Sequence, residues 1–452
     1  MKKMVMGFAF ICCLVLGVQT SLTKARAATN WKEYKTLTVK KGAFTFKAHP
    51  SSQKKEAWIY QVKVNSKKGS TKTLKFPSKI KGRKVTKLGW TEDMGEDNEF
   101  YRTIFGIWVE EAHDCDGYMY SLRKTQKLII PKTVKELTNC CFSGLRALKQ
   151  VTIPSGVKKI PRSAFYGCRK LKSVTLPKKL QEFDREVFAD CPAISEMKLS
   201  KSNKTYKVEK GAVLSKDGKQ LYWVLPAKKK YTISSKTSSI DTNALRDCKM
   251  KKLVLPAHVI DLKRYALYSK NIKKITVDTT NPVYAKDGQC IYKKATGELI
   301  TAMVKNNKIA ISSKVTILNE NATMTGADNC AELERVDIPE SVKTLETYWI
   351  FFHNLSTKVY FHSKTPPQIN AIVPGWQYAA IPCFNPVYVP QGSKDTYEKW
   401  AEDHFRFDEK DVNCIGIEKL CLPENRQTLL FYFGFYAISP MYMASRIRDG
   451  HV

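Results

Sequence analysis

Two consecutive stretches of 23 residues decide the fold: KQVTIPSGVKKIPRSAFYGCRKL, residues 149–171, and KSVTLPKKLQEFDREVFADCPAI, residues 172–194. The same pattern extends over residues 128–199. Four apolar columns keep the 23-residue step: Ile130, Ile153, Leu176 and Leu199; Phe142, Phe165 and Phe188; Leu148, Leu171 and Ile194; Val134, Val157 and Leu180. Agreement among independent columns predicts a solenoid, in which each repeat buries its apolar side against the next.

A period of 23 lies within the range of leucine-rich repeats, in which every unit adds one short strand to a parallel sheet. Alternation places Val151 and Ile153 on the buried face and Gln150 and Thr152 on the outward face. Pro154 then ends the strand, because proline cannot donate to the ladder. We therefore predict a β-rich α+β fold: a right-handed leucine-rich-repeat solenoid with short parallel strands, inserted β-hairpins, an N-terminal β cap and a short C-terminal capping helix.

Interruptions of the period divide the chain into segments. The predicted segments are a signal peptide (1–27), a β cap (28–72), the solenoid (73–390), a capping helix (391–413) and an atypical apolar tail (414–452). Within the solenoid we expect an acidic, aromatic insertion at 90–120 and hairpins with Asp-Gly turns at 206–225 and 281–302. The tail is similar to a wall-sorting signal at Leu422-Pro423, but Asn425-Arg426 replace the Thr-Gly of that motif. A disturbed reading frame or a truncated further domain explains the tail equally well.

The first 27 residues have the features of an export signal. Lys2 and Lys3 precede an apolar run over residues 4–18, and Ala25-Arg26-Ala27 fits an A-x-A cleavage site. The alternative is a membrane anchor, but about 15 apolar residues are too few to span a bilayer comfortably. We therefore expect a secreted or cell-surface protein.

The composition is 43% hydrophobic and 26% charged, which suits a folded chain, and the formal net charge is +34. Four of the 76 basic residues lie in the signal segment, which leaves 72 against 42 acidic residues. A field of this sign attracts polyanions. Export argues against genomic nucleic acid and favours wall polymers or glycans, although lysines also keep an exported protein soluble.

The cysteines follow the repeat more than a disulfide framework. Cys168 and Cys191 lie 23 residues apart in matching runs, and Cys248 and Cys330 occupy similar positions. A cysteine at a fixed repeat position acts as a small buried filler. The one alternative is a disulfide bond from Cys115 to Cys140 or Cys141.

The units resemble the BspA-like leucine-rich repeats of bacterial surface proteins, whose consensus joins a strand ending in Ile-Pro to a later Ala-Phe-x-x-Cys. The stretches 172–177 and 164–168 carry this likeness, which covers roughly residues 73–405. It implies an exported protein associated with adhesion, host-protein binding or recognition. The family has no shared catalytic residues to transfer.

No arrangement of residues predicts an enzyme, a cofactor site or a metal site. The seven histidines are scattered, and no nucleophile elbow, P-loop or zinc-protease helix is found. The sheet face carries a mixed set of outward residues: Lys127, Ile129, Gln150, Thr152, Ser173, Thr175, Glu196 and Lys198. Lysines and arginines recur in the loops instead. They define a candidate basic rim for polyanions, or a merely solvated edge: Lys158, Lys159, Arg162, Arg169, Lys170, Lys172, Lys178, Lys179, Lys228, Lys229 and Lys230.

From these features we expect a monomeric, non-catalytic module that binds an extracellular protein or an anionic polymer at the cell surface. Its contact with the cell envelope is expected to be peripheral. The alternative is a structural cell-envelope protein with no dedicated ligand. A hydrolase is a third class, and it requires a pocket with clustered acid and base groups.

Overall fold

The computed structural model describes residues 36–51, 54–64, 71–89, 124–184, 186–319, 323–325, 333–346, 357–370, 387–404 and 427–429. The predicted signal peptide, the insertion at 90–120, Cys115, Cys330 and most of the tail lie outside these residues. The chain divides into two compact units, Met1–Val208 and Glu209–Val452. Each is β-rich and built from stacked coils, as the 23-residue period predicts.

Unit 1 consists of short strands. They are β1 (Leu37–Lys41), β2 (Phe44–Pro50), β3 (Glu56–Val64), β4 (Thr73–Lys75), β5 (Lys79–Ile80), β6 (Arg83–Leu88), β7 (Lys127–Ile129), β8 (Glu136–Leu137), β9 (Gln150–Thr152), β10 (Lys159–Ile160), β11 (Ser173–Thr175), β12 (Glu182–Phe183) and β13 (Glu196–Lys198). A further strand, β14 (Tyr206–Glu209), spans the boundary between the units.

The first strands of successive repeats form one parallel sheet in the order β13-β11-β9-β7-β4. Ser173 pairs with Gln150 on one side and with Glu196 on the other, so the register between strands equals the sequence period. Val151 and Ile153 are buried while Gln150 and Thr152 are exposed. The predicted assignment of faces is therefore confirmed.

An aromatic column runs through the core of unit 1. The rings of Phe142 and Phe165 lie 5.4 Å apart between centroids, and those of Phe165 and Phe188 lie 5.5 Å apart. Phe76 extends the column, 5.8 Å from Phe142, and Phe46 of β2 lies 5.6 Å from Phe76. The predicted stacking of the three phenylalanines is confirmed, and the N-terminal strands continue the same core.

The N-terminal strands β1, β2 and β3 form an antiparallel meander, and β3 then pairs in parallel with β6. The strand β6 pairs in parallel with β8 of the first regular repeat. The meander is therefore hydrogen-bonded into the stack, where it covers the end of the core that a solenoid would otherwise expose.

Unit 2 has the remaining strands and one helix. They are β15 (Ala212–Ser215), β16 (Gln220–Val224), β17 (Ser239–Ile240), β18 (Lys252–Leu255), β19 (Asp261–Leu262), β20 (Lys274–Val277), β21 (Tyr284–Asp287), β22 (Cys290–Lys293), β23 (Leu299–Met303), β24 (Lys308–Ala310), β25 (Ile317–Leu318), β26 (Thr323–Thr325), β27 (Arg335–Ile338), β28 (Thr344–Glu346), β29 (Lys358–Phe361), β30 (Gln368–Asn370), β31 (Val387–Val389), α1 (Lys394–His404) and β32 (Gln427–Leu429).

Parallel pairing again dominates unit 2. The order β24-β27-β29-β31 makes one parallel ladder, β25-β28-β30 makes a second, and β18 pairs with β20. The helix α1 packs Tyr397 and Trp400 against Phe361, with centroid distances of 5.3 and 6.2 Å. From the tail, β32 adds antiparallel to β31.

A longer period of 78 residues overlies the 23-residue one. It relates Asn203 to Asn281 and Tyr206 to Tyr284. Each asparagine is buried and makes the same four hydrogen bonds. Its Nδ2 donates to two carbonyl oxygens of the preceding coil, and its Oδ1 accepts from two backbone N–H groups, one of them that of the tyrosine. This amide fixes the turn into each inserted hairpin.

The longer period corrects the expected equivalence of the two Asp-Gly hairpins. Asp217-Gly218 lies between β15 and β16, whereas Asp287 ends β21 and Gly288 begins the turn to β22, one turn earlier in the motif. The register shift between Val213 and Leu214 in β15 recurs between Ile291 and Tyr292 in β22. The turn equivalent to Asp217-Gly218 is therefore the one around Gly297, and in both insertions three consecutive strands are neighbours in the sheet, β14-β15-β16 and β21-β22-β23.

Candidate binding surface

The outward face of the parallel sheet in unit 1 is mixed in charge. The side chain of Ser173 donates to Glu196 at 2.8 Å, and Lys198 forms an ion pair with the same carboxylate at 2.9 Å. These two interactions lower the pKa of Glu196, with the Lys198 hydrogen bond contributing most. The face therefore offers paired charges rather than a uniformly basic track.

The corresponding face in unit 2 carries a row of three basic residues. Lys308, Arg335 and Lys358 lie side by side in register on β24, β27 and β29. Asp337 and Tyr360 form the next row, and Tyr388 continues it on β31. Since outward residues of adjacent strands lie within reach of one another, these two rows make one continuous patch.

The centre of that patch is a stack of planar groups. The guanidinium carbon of Arg335 lies 3.8 Å from the centroid of the Tyr360 ring, and the Tyr388 ring stacks on Tyr360 at 4.4 Å with planes 10° apart. Asp337 holds Arg335 through two hydrogen bonds of 2.7 Å, and the Nε2–H of His362 donates to the same carboxylate at 2.8 Å. We call these five residues the Arg335 stack.

The electrostatics of the Arg335 stack follow from these contacts. Burial raises the pKa of Asp337, but its hydrogen bonds to Arg335 and His362 outweigh burial and leave the pKa below its ordinary value. The carboxylate therefore stays ionised and keeps the guanidinium flat against the Tyr360 ring. A preorganised cation on an aromatic face suits recognition of planar or anionic groups.

Three residues of the predicted basic rim are ion-paired with the following coil. Lys159 contacts Glu182 at 2.7 Å, Arg162 contacts Glu186 at 2.7 Å, and Arg169 contacts Asp190 at 2.9 Å. Their charges are locally compensated by acidic residues that lie 21 to 24 positions later.

Other rim residues are exposed and have no ion pair with any described residue. The five in unit 1 are Lys158, Lys170, Lys172, Lys178 and Lys179. They lie along different edges of the coil: Lys158 precedes β10, Lys170 and Lys172 precede β11, and Lys178 and Lys179 follow it. The structure thus separates them into edges that flank the sheet.

The last three rim residues, Lys228–Lys230, belong to unit 2. Lys229 and Lys230 are exposed, while the aliphatic stem of Lys228 covers Gly211. A Cβ atom at Gly211 would lie 1.9 Å from Cε of Lys228, and its φ of +83° also favours glycine. Lys228 therefore has a packing role besides its charge.

The sequence reasoning missed the Arg335 stack. Its signal was the alternation of the late strands, which places Arg335 and Asp337 on the same outward face as Tyr360. The scatter of the histidines along the chain gave no reason to single out His362. The partners of Tyr388 could not be read from the period, because 28 residues separate Tyr360 from Tyr388.

The described residues contain no group of three or more His, Cys, Asp or Glu side chains placed to hold a metal ion. Nor does any helix in the described part of the chain have the length and apolar character needed to cross a membrane.

Comparison with known proteins identifies the repeat. The family described as the BspA type leucine rich repeat region matches residues 115–212 and 225–350 in six copies. The chain belongs to the BspA-type leucine-rich repeat family. No curated protein matches it at a significant level.

Several solved structures of bacterial leucine-rich repeat proteins are similar to this family member. A leucine rich cell surface protein from Faecalibacterium prausnitzii A2-165 is 15% identical, with 72% of this chain and 95% of that chain covered and a TM-score of 0.36. The pneumococcal vaccine antigen PcpA is 14% identical, with 80% and 96% covered and a TM-score of 0.38. A protein from Bacteroides ovatus is 15% identical, with 74% and 89% covered and a TM-score of 0.33.

Proposed function

We propose that this BspA-type protein is exported and acts at the cell surface as a non-catalytic binding module. The observation that carries the proposal is the Arg335 stack on the outward face of the parallel sheet in unit 2. Members of repeat families use such extended faces for binding, because outward residues vary freely while buried ones hold the stack. The N-terminal pattern of Lys2, Lys3 and the Ala25–Ala27 site supports export.

The sheet face of unit 2 fits a protein partner that presents acidic and aromatic side chains. The basic row of Lys308, Arg335 and Lys358 supplies charge complementarity, and the stacked rings of Tyr360 and Tyr388 supply rigid contact area. Tyrosine and arginine are among the residues that most often dominate binding energy at protein interfaces.

The protein-binding half of the proposal is tested by recovering bound proteins from host extracellular matrix. The Tyr360→Ser variant removes the central ring of the stack and is expected to lose the bound protein. The control Val254→Ser alters another outward position, 63% exposed, on β18 and is expected to retain it. Recovery of nothing by the unaltered protein would instead favour a structural envelope role.

The basic residues of unit 1 support a second contact, with an anionic wall or host polymer. Lysines without ion pairs can replace the counterions of a polymer, so retention should weaken as salt rises. We expect elution from an immobilised anionic polymer to shift to higher salt with increasing polymer charge. Retention that does not change between low and high salt contradicts this contact.

Two variants with equal change in charge locate the polymer contact. K170Q/K172Q/K178Q removes three exposed lysines without ion pairs to described residues, whereas K159Q/R162Q/R169Q removes three ion-paired cations. We expect the first triple variant to elute at distinctly lower salt than the second. Equal elution of the two variants means that only net charge matters and that the basic rim is not a site.

A further inference from the structure

A lysine, a glutamate and an asparagine meet at one carboxylate in unit 2. The Nζ of Lys293 donates to Oε2 of Glu298, and the Nδ2 of Asn319 donates to Oε1 of the same side chain. The amine and the amide are therefore gathered on the two oxygens of a single acid. Neither the Arg335 stack nor the proposed binding function uses these residues.

Backbone pairing fixes this arrangement. Lys293 ends β22 and closes the turn to β23 by a hydrogen bond from its N–H to the carbonyl of Glu298, at 2.9 Å. Glu298 forms a parallel bridge with Ile317 of β25, and Asn319 follows that strand directly. The three side chains thus lie at the end of β22, directly before β23 and directly after β25.

The site is shielded from water to different degrees. Asn319 is completely buried, the Glu298 side chain is 20% exposed and the Lys293 side chain is 37% exposed. Proton transfer from Lys293 to Glu298 yields a neutral amine, which is nucleophilic, and a carboxylic acid, which can protonate a leaving group.

The fold itself does not require these three residue types. The 78-residue period relates Lys293, Glu298 and Asn319 to Ser215, Gln220 and Asp241 in the preceding motif. There Gln220 bridges Ser239 in parallel just as Glu298 bridges Ile317. The equivalent position folds without an amine, an acid and an amide in contact, so the combination in the second motif calls for a chemical explanation.

We propose that Lys293 and Asn319 form an intramolecular isopeptide bond with Glu298 as the proton carrier. The Nζ atom of Lys293 attacks Cγ of Asn319, and an Nζ–Cγ bond replaces the Cγ–Nδ2 bond. Glu298 accepts a proton from Nζ and delivers one to Nδ2, which leaves as ammonia. The reaction needs no oxidant or cofactor, and it ties the end of β22 to the end of β25.

Mass spectrometry of the reduced, denatured full-length protein tests this bond. The unaltered protein is expected to lack the mass of one ammonia molecule, and proteolysis is expected to yield a branched peptide containing Lys293 and Asn319. The variants Lys293→Arg and Glu298→Gln keep a hydrogen-bonding side chain but should show the full mass and no branched peptide. A control, Lys286→Arg, alters a lysine on β21 and should retain the ammonia deficit.

Thermal unfolding provides a second measurement on the same proteins. A bond across this segment limits the unfolded chain, so Lys293→Arg should unfold at a lower temperature than Lys286→Arg. Full mass in folded, unaltered protein overturns the proposal, and so does an ammonia deficit that persists in Lys293→Arg.

Discussion

The rings of Phe165 and Phe188 lie 5.5 Å apart between centroids, with planes inclined by only 21°. The two residues are 23 positions apart, so one sequence period corresponds to one step between neighbouring coils. Phe165 also packs against Phe142 on its other side and is completely buried. Each ring in the interior of this column therefore stabilises two neighbouring coils at once.

Replacement of Phe165 by alanine should be strongly destabilising. The ring is fully buried between two others, so its removal opens a cavity that the stacked coils cannot close. We expect the free energy of unfolding to fall by about 3–5 kcal/mol, measured by urea denaturation. Phe183→Ala serves as the control, because that ring is only partly buried at the edge of the column. Equal losses for the two variants are inconsistent with a column that carries the stability.

Asn203→Asp should make stability depend on pH. The amide Nδ2 of Asn203 donates to the carbonyls of Lys178 and Leu180 at 3.0 and 2.9 Å, and an ionised carboxylate would face both oxygens without a proton. Burial and these carbonyls raise the pKa of the new acid in the folded state above its unfolded value near 4. The variant should therefore lose about 3 kcal/mol at pH 7 and regain part of it as the pH falls toward 4.

The control for Asn203→Asp is Asn306→Asp. Asn306 occupies an exposed turn with a φ of 50°, a conformation that aspartate also tolerates. Its replacement should leave the unfolding free energy nearly unchanged from pH 4 to pH 7. A parallel pH dependence in both variants contradicts the role assigned to the buried amide.

The sequence predicted the repeat core and the inserted hairpins, but not the buried asparagines that hold those hairpins to the preceding coil. Phe142 and Phe165 obey a strict period, and burial of an apolar side chain requires only that the period place it inward. Asn281 instead acts through hydrogen bonds to the backbone of an earlier coil, and such partners leave no periodic apolar signal. Its equivalence to Asn203 becomes readable only through the 78-residue step, which skips the intervening coils.

The Arg335 stack shows the same limit for the binding surface. Outward positions such as those of Arg335 and Tyr360 are not constrained by the core, so the period predicts where they lie but not which of them cooperate. The candidate basic rim was predicted in the loops because lysines and arginines can be read directly from the sequence. Asp337, which aligns Arg335 on Tyr360, is identified only once the strand register is known.

Tyr265→Asn should increase stability. Tyr265 has a φ of 58°, in the left-handed region that bulky side chains avoid, and Asn243 occupies the equivalent position of the preceding repeat with a φ of 57°. Asparagine tolerates this conformation, so we expect a gain of about 1 kcal/mol in the free energy of unfolding. The reverse exchange, Asn243→Tyr, should cost more than this gain, because Asn243 is buried and the larger ring would also overpack its site. Destabilisation by Tyr265→Asn would show that the contact of Tyr265 with Arg264 outweighs backbone strain.

The buried thiols should be unreactive in the folded protein. Burial raises the pKa of Cys290 to about 11 and places that of Cys141 well above its ordinary value. Since the thiolate is the reactive form, alkylation at pH 8 should modify these residues only after denaturant is added. The measurement is mass spectrometry of each cysteine-containing peptide before and after unfolding.

The same pKa shift predicts lower stability in base. The unfolded thiol of Cys290 ionises near pH 8.5, whereas the folded one holds its proton until about 11. As the pH rises from about 8.5 toward 11, the unfolded state therefore releases the proton first and is favoured. Cys290→Ala should show a weaker decline of the unfolding midpoint over this range.

The control for the alkylation experiment is Lys204→Cys, which places a thiol at an exposed position. This cysteine should react at once in the folded protein, and equally slow alkylation there would show that burial is not what protects Cys290.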